Sequence, residues 1–560
     1  MSSVIQTIII KGFRKYSHSL GPESIQFIES ICEEHGFADD PAQIENAVEH
    51  LAKEYNQQDD ATMKVSLSVL QRVYAGLQEK EEREANEEDD LLNIEDHLFF
   101  VDAYEMPAWH WSQSRSTFEK VAAPPTIAGS ADSRITAVRD RYDVIKQTVL
   151  RNEHFSPSTL PSKLHDRLLN LRSTKQLLGR AGERFLLFGL LCYSKEGKLC
   201  LEDSDGKVEL DFSQMGIPSE GLFTEGCFAL VEGDYTDEEK LTVIALGHPP
   251  CERRDAALSI YGHIDFLGKG MATPLEDASE SLRKRLQDEI PDTMIHCLSD
   301  VWLDHQDTYR ALDALFSKCV LAAQAPSYDD MDEAPTVPLP KLFIFCGNFS
   351  TQGVGQGTSK EMQNYQEGFD RLADLIASYP QLLRQTHFVF VPGPLDLTAN
   401  SVLPRRPLLS SVTSKLKAKL GNKAHFMSNP CRIKFCGQEL VIFREDTMAR
   451  MLRHLVGVKP DVEKDDLQRF LVQSIIDQST LSPFTRNIQP VLPEFDYTLR
   501  LYPMPVAVIL ADKYQSYELT YEGCHVFNPG SFVGNAFEFY TYFPARRRSE
   551  CSTVELEETQ

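Results

Sequence analysis

Apolar residues recur at helical spacing from about residue 21 to residue 77. Ile25, Ile28 and Ile31 form one stripe, Ile44, Val48 and Leu51 a second, and Leu67, Leu70, Val73, Tyr74 and Leu77 a third. Three such stripes predict a small helical bundle. The pattern then stops: "QEKEEREANEEDD", Gln78 to Asp90, is dense in charge and has no apolar face. It reads as a solvated linker or fraying helix end, with an acidic docking peptide as the sharper alternative. Beyond it, "ADSRITAVRDRYDVIKQTVL" reads as a helix and "VAAPPTIAG" as a loop, while "EMPAWHWSQ" fits no motif. This stretch is expected to be a connector that packs on whatever follows.

Between about residues 184 and 247 the period changes to that of strands. "RFLLFGLLCY", "KLCLED", "KVELDF", "CFALVEGDY" and "LTVIAL" are five short β runs, with Asp205-Gly206 as a hairpin signal between the second and third. Five strands in so short a span, with one short helical segment after the third, predict an OB-type barrel. From about Met294 onward strands and helices alternate. "TMIHCLSD", "KLFIFCG", "HFVFVPG", "CRIKFCGQELVIF", "VAVILAD" and "HVFNPGSF" are rich in Val, Ile and Phe, "SYDDMDEAPTVPLP" is an acidic, Pro-rich insertion, and "FEFYTYFPARRR" adds an edge strand. The chain therefore divides into a helical domain over 1–77, an acidic linker and connector over 78–180, an OB-fold domain over 181–285 and an α/β sandwich over 286–560.

Composition narrows the function classes. The 560 residues suit several domains, and a formal net charge of −26 argues against a protein whose main task is gripping phosphate backbones. "KLKAKLGNK" and "ARRR" are local exceptions that read first as solvated faces. No apolar run reaches the roughly 18 residues that span a membrane. In "MSSVIQTIIIKGFRKYS" the basic residues follow the apolar patch, so a signal peptide is not expected. Twelve scattered cysteines without a Cys-x-x-Cys pair suggest reduced core thiols rather than zinc or disulfides.

Reactive groups of α/β folds sit in loops after the strands, and here those loops read "SDVWLD", "CGNFS", "VPGPLD", "FRED" and "ADKY". Their order resembles the calcineurin-like metallophosphoesterase pattern of Asp-x-His, Gly-Asp, Gly-Asn-His-Asp/Glu, a lone His and Gly-His-x-His. That chemistry needs a bridging carboxylate and several imidazoles to hold two metals. Asp300 survives, but Trp302 stands where the histidine belongs, Asn348 replaces the bridging carboxylate, Pro394-Leu395 replaces Asn-His, and Lys513 in the last motif would place a cation where a metal should be. Asp396 remains. His296, His305 and His525 lie near these loops and read as structural histidines. No phosphate-binding loop or nucleophile elbow is present; "STQGVGQGTSK" lacks the required spacing. The expectation is a site without metal, cofactor or catalysis, with the Trp302 indole filling the space of the lost metals. Two alternatives stay open: a rearranged single-metal phosphoesterase using Asp300, Asp304, Asp396 and His305, and a single-strand-binding barrel. The acidic Glu202, Asp203, Glu209 and Asp211 speak against the latter.

The words "LEDSDGKVELDFS", "DVWLD", "CGNFS", "FVFVPGPLD", "NPCRIKFC", "VIFRED", "ADKY" and "NPGSF" resemble the second (B) subunits of DNA polymerase epsilon over most of residues 180–545. The helical start fits the epsilon type better than the delta or alpha types, which are the runners-up. The resemblance implies an inactive calcineurin-like phosphoesterase domain over 286–560 and a non-catalytic scaffold in nuclear DNA replication. It implies a hold on the C-terminal metal-binding region of the catalytic polymerase subunit, and a link from the N-terminal domain to the GINS component of the replicative helicase. Small histone-fold subunits would join in the holoenzyme, and DNA would be met only within that complex.

Overall fold

The structure, a computed structural model, describes residues 2–16, 18–34, 41–56, 64–87, 92–155, 170–215, 220–269, 276–324, 337–353, 359–397, 401–457, 459–461 and 464–556. It separates into two compact units, Met1–Leu92 and Asn93–Gln560. Most of the acidic insertion and the Gly-rich part of "STQGVGQGTSK" lie outside the described residues. Among the described residues no helix is long and apolar enough to cross a membrane.

The first unit holds four helices, Ser2–Lys15, Pro22–Glu34, Pro41–Asn56 and Leu67–Glu87. The predicted stripes meet in its core, where Ile28, Ile44, Val48 and Leu70 pack with Tyr55. The stripes do not include the first helix, whose Ile9 and Phe13 are fully buried in the same core. The last helix runs on through the charged stretch to Glu87.

In the second unit the barrel closes through strands Arg184–Tyr193, Leu199–Glu202, Lys207–Asp211, Lys240–Gly247 and Phe228–Tyr235, the last pairing back onto the first. A sixth, two-residue strand, Leu171–Arg172, lies beside Arg184–Tyr193. Alternating positions such as Phe185, Leu187 and Leu191 fill the interior. Gly189 permits the closure: a Cβ there would lie 2.6 Å from the Glu202 carbonyl oxygen. The short helical segment expected after the third strand falls partly outside the described residues.

The sandwich consists of two six-stranded sheets. One orders Ala424–Phe426, His387–Val391, Leu342–Cys346, Ile295–Ser299, Glu538–Phe543 and Arg548–Thr553; the other orders Leu98–Asp102, Cys431–Phe435, Gln438–Arg444, Ala507–Ala511, Cys524–Asn528 and Tyr517–Tyr521. The parallel strands "LFIFC", "HFVFV" and "AVILA" are buried at every position, as strands covered on both faces must be. Between the sheets Phe527 stacks on Tyr540 and Tyr542, and Gln438 Nε2 donates to the Pro544 carbonyl over 2.9 Å. Helices such as Gln306–Gln324 and Ser359–Ala377 cover one outer face, and Leu467–Asp477 covers the other. All parallel strands end at one rim, and there the candidate loops gather.

Residues 78–180 do not behave as one connector. Leu98–Asp102 forms the outer strand of a sandwich sheet, paired antiparallel with Cys431–Phe435. "EMPAWHWSQ" leads into the hairpin Trp109–Ser112/Thr117–Lys120, whose Trp111 and Phe118 pack edge-on against Tyr261. The predicted helix is Ala131–Arg151. Its Arg141 pairs with Asp496, and its Ile145 and Val149 pack on Phe188 and Phe228 of the barrel.

The barrel is docked on the helix Leu467–Asp477. Gln478 at its end accepts from the Phe228 amide and donates to the Phe228 carbonyl, both at 2.7 Å. Ser474 Oγ accepts from the Leu222 amide at 2.7 Å, and His248 stacks on Phe223 with ring centroids 3.9 Å apart. Beside this seam burial pushes the Asp477 carboxyl up to about 7, against the uncharged donors Cys251, Tyr521 and Gln473. An unfolded aspartate titrates near 3.9, so the stabilisation of its protonated form is complete below about pH 4 and is lost as pH rises through 7. Asp477→Asn is therefore expected to gain stability over the parent at pH 8, by about 1–4 kcal/mol, and to gain little at pH 4. Urea midpoints at the two pH values check this; equal differences at both would refute it.

Candidate functional site

The rim is built from the residues that follow six strands. Ser299 leads to Asp300, Cys346 to Gly347-Asn348, Val391 to Pro392-Gly393, Arg444 to Glu445-Asp446, Ala511 to Asp512, and Asn528 to Pro529-Gly530. These strand ends approach closely. A Cβ on Gly347 would lie 2.0 Å from Asp396 Oδ2 and 2.4 Å from the Gly393 amide nitrogen, so only glycine fits.

At the centre lies Arg444, whose side chain is fully buried. Its Nη2 donates to Asp300 Oδ1 at 2.7 Å, its Nη1 to Asp446 Oδ1 at 2.8 Å, and its Nε to the Gly347 carbonyl. Nη1 also lies 3.4 Å from the Ala511 carbonyl. Burial works against the charged guanidinium, but Asp300 and Asp446 outweigh it and hold the arginine firmly protonated. For Asp446 burial again pushes upward, and Arg444 with Lys513 brings the carboxyl below its ordinary range.

The predicted positions surround this arginine. Asp300 adopts a positive φ of 54° and is 3% exposed; its Oδ1 also accepts from the Asn348 amide at 3.0 Å and from Asn348 Nδ2 at 3.2 Å. Asn348 Oδ1 accepts from the Leu395 amide at 2.8 Å, so the neutral amide links two loops. Leu395 itself is exposed and Pro394 half-buried. Asp396 is used up by the Phe349 and Gly393 amides and by Tyr365 Oη, and burial pushes it up to about 6. Asp512 holds the Met448 and Tyr514 amides and is likewise pushed up to about 6, chiefly by burial. Lys513 is largely exposed and reaches Asp446 at 3.2 Å.

Two expectations need correction. The cation at the heart of the rim is supplied by Arg444, not Lys513. Trp302 is not the filler: it is half-buried, and the guanidinium occupies the space among Asp300, Asp446 and the Gly347 carbonyl. Arg444 matches no motif, although a charged Arg-Glu-Asp closing the apolar run "LVIF" is a readable signal.

The alternative single-metal constellation is not brought together. Asp304 is exposed and binds Ser350 and the Thr351 amide and hydroxyl. His305 is exposed, 4.0 Å from Asp307. His296 and His525 sit near the opposite ends of their strands, on Thr541 and Ser549, and burial pushes them down to about 3 and 4. Among the described residues no group of three or more His, Cys, Asp or Glu side chains is placed to hold a metal ion. Two divalent cations would have to share the space with a fixed guanidinium, and His296, His305 and His525 meet other partners. The donor set does not fit them.

A second buried charge cluster adjoins the first. Arg405 pairs with Glu445, which is almost fully buried and also accepts from Arg450 Nη2 at 3.0 Å; Arg450 continues to Gln489. Burial raises the Glu445 carboxyl, but the two arginines win and hold it low. Removing the acid strands Arg405, which is 2% exposed. Glu445→Gln is expected to cost about 3–5 kcal/mol, seen as a lower urea midpoint; a cost below about 1 kcal/mol would contradict the assignment.

Known proteins resemble this chain in sequence. A family model described as "DNA polymerase epsilon subunit 2-like, OB-fold domain" matches residues 131–250, a span that includes the helix Ala131–Arg151. A second model, which describes the B subunits of DNA polymerases alpha and epsilon, matches residues 295–519. DNA polymerase epsilon subunit 2 of Mus musculus is 34% identical over 82% of this chain and 84% of its own length. The B subunit of DNA polymerase epsilon from Schizosaccharomyces pombe is 33% identical over 82% of this chain and 77% of its own. A solved archaeal phosphodiesterase aligns with 46% of this chain and 99% of its own at 10% identity, with a TM-score of 0.23. On the extent and identity of the epsilon matches, the chain belongs to the family of second (B) subunits of DNA polymerase epsilon.

Proposed function

We propose that this chain is a non-catalytic accessory subunit of the DNA polymerase epsilon complex, acting as a scaffold in nuclear DNA replication. The observation that carries the reading is the buried Arg444 guanidinium at the strand-end rim, where a phosphoesterase would need metals. A fold that keeps its rim rigid without metals can devote its surface to protein contacts. The relatives named above are epsilon subunits, which sets the delta and alpha readings aside.

In this reading the barrel and sandwich together hold the C-terminal metal-binding region of the catalytic subunit. Their docking through Gln478 and Ser474 supports a single rigid binding surface. The helical unit, compact by itself, contacts GINS in the helicase, and histone-fold subunits complete the holoenzyme. DNA is met only inside that assembly. The charges support this: Lys415 and Lys419 of the basic cluster pair with Asp374, and Arg546 pairs with Asp292. On the barrel Glu209 is taken by Lys198 and Asp203 by Thr174, an acidic face that offers a nucleic-acid strand little to follow.

Two measurements test the reading. Co-expressed with the polymerase catalytic subunit, the chain is expected to co-purify as a soluble stoichiometric pair; failure to form one in any condition that keeps both partners soluble defeats the scaffold reading. The purified chain and Trp302→His are both expected to show no manganese-dependent hydrolysis of bis(p-nitrophenyl) phosphate, because Asn348, Pro394 and Arg444 remain. Turnover lost on Asp300→Ala would revive the enzyme reading.

A further inference from the structure

We infer that the strand-end rim is a binding site for a guanidinium-sized planar cation, and that Arg444 is its tethered occupant, serving in place of the metal pair as the charge that ties the two sheets together. This deepens the non-catalytic reading and rests on it.

The three guanidinium nitrogens reach both sheets at once. Asp300 and the Gly347 carbonyl belong to loops of one sheet, while Asp446 and the Ala511 carbonyl belong to the other. Of the neighbouring side chains, Asn348 connects loops of the first sheet, Lys513 meets Asp446 from outside, and Asn429 spans the division from the Pro392 carbonyl to the Arg444 carbonyl but carries no charge. The acceptors lie around a planar fork, one carboxylate oxygen on each Nη and a carbonyl on Nε. That arrangement suits a guanidinium and not a compact ammonium. The charge is also matched locally, with Asp300 and Asp446 facing Arg444 and Lys513. Arg444 emerges from the backbone beside Asn429, whose side chain accepts from the Arg444 amide at 3.1 Å and donates to its carbonyl at 2.6 Å, so the tether is itself fixed.

If the site is built for the cation and not merely for the arginine's bulk, truncating the side chain should leave a cavity that free guanidinium can fill. The test uses the full chain with Arg444→Ala and follows thermal melting. The variant is expected to melt lower by roughly 6 °C or more, since the buried Asp300 loses its charged partner and the half-buried Asp446 keeps only Lys513. Guanidinium chloride on the order of 10 mM, too dilute to denature, should recover a measurable part of that loss. Sodium chloride at equal ionic strength should not, and neither should guanidinium raise the melting of the parent chain. Adding Asp300→Asn to Arg444→Ala should abolish the recovery. No recovery, or recovery by manganese but not by guanidinium, overturns the inference.

Should Arg444→Ala not fold, Arg444→Lys and Arg444→Gln decide. The charged lysine variant is expected to melt above the neutral glutamine variant and below the parent; glutamine at or above lysine overturns the inference. The readout is the melting of this chain alone. A failed cation site with intact capture of the polymerase subunit therefore remains distinct from a failed scaffold reading.

Discussion

One guanidinium, buried where parallel strands from two sheets end, sets the terms for the rest of the sandwich. Strand ends present carbonyl oxygens and, here, two carboxylates around a fully buried side chain. Such a concentration of acceptors must meet a cation or break apart. Metals answer that demand in hydrolases and bring reactivity with them. Arginine answers it with a charge that never leaves, in a fork whose directions are fixed. The gain is chiefly in geometry, because the desolvation of a buried pair cancels much of its attraction. What Arg444 secures is the relative position of the loops.

That position is passed outward through named contacts. Glu445, next to Arg444, is gripped by Arg405 and Arg450, and Arg450 reaches Gln489. Asp512 anchors the start of the helix Thr447–Arg453 through the Met448 amide. The neighbouring helix Leu467–Asp477 carries Ser474, and Gln478 follows it; these two clasp the barrel by its backbone at Leu222 and Phe228. The helix Ala131–Arg151 straddles the same seam, with Arg141 on Asp496 and its apolar face on the barrel. A barrel fastened by backbone-directed hydrogen bonds has little freedom to rock. Two domains joined in this way present one surface, which is what a scaffold needs.

Much of this is legible in the sequence because its cause is local. Alternation announces the five barrel strands, and unbroken apolar runs announce the buried parallel ones. What escapes depends on distant partners. Leu98–Asp102 becomes a strand only because Cys431–Phe435, far along the chain, offers it an edge. The first helix reads as a mere apolar patch until three later helices give Ile9 and Phe13 something to cover. At the site, comparison with the phosphoesterase pattern singles out Trp302, Asn348, Pro394-Leu395 and Lys513 as departures from it. It cannot tell what has entered the space. Position two after Asp300 is the natural suspect, yet the occupant arrives from the other sheet, 144 residues later.

An arginine at the centre of the rim responds to less than a metal centre would. A metal centre is coupled to pH and to chelators, because its ligands must shed protons and its ion can leave. Arg444 can do neither, and Asp446 and Glu445 are held ionised by their own arginines. Titration is displaced to Asp396 and Asp512, two carboxylates at the rim whose burial outweighs the more distant pull of Arg444. They lean instead on backbone amides and, for Asp396, a tyrosine hydroxyl, donors that brace loops without performing chemistry. The division of labour is therefore electrostatic: fixed charges clamp the centre, hydrogen-bonded acids brace the perimeter, and both sets of carboxylates are engaged by partners within the fold.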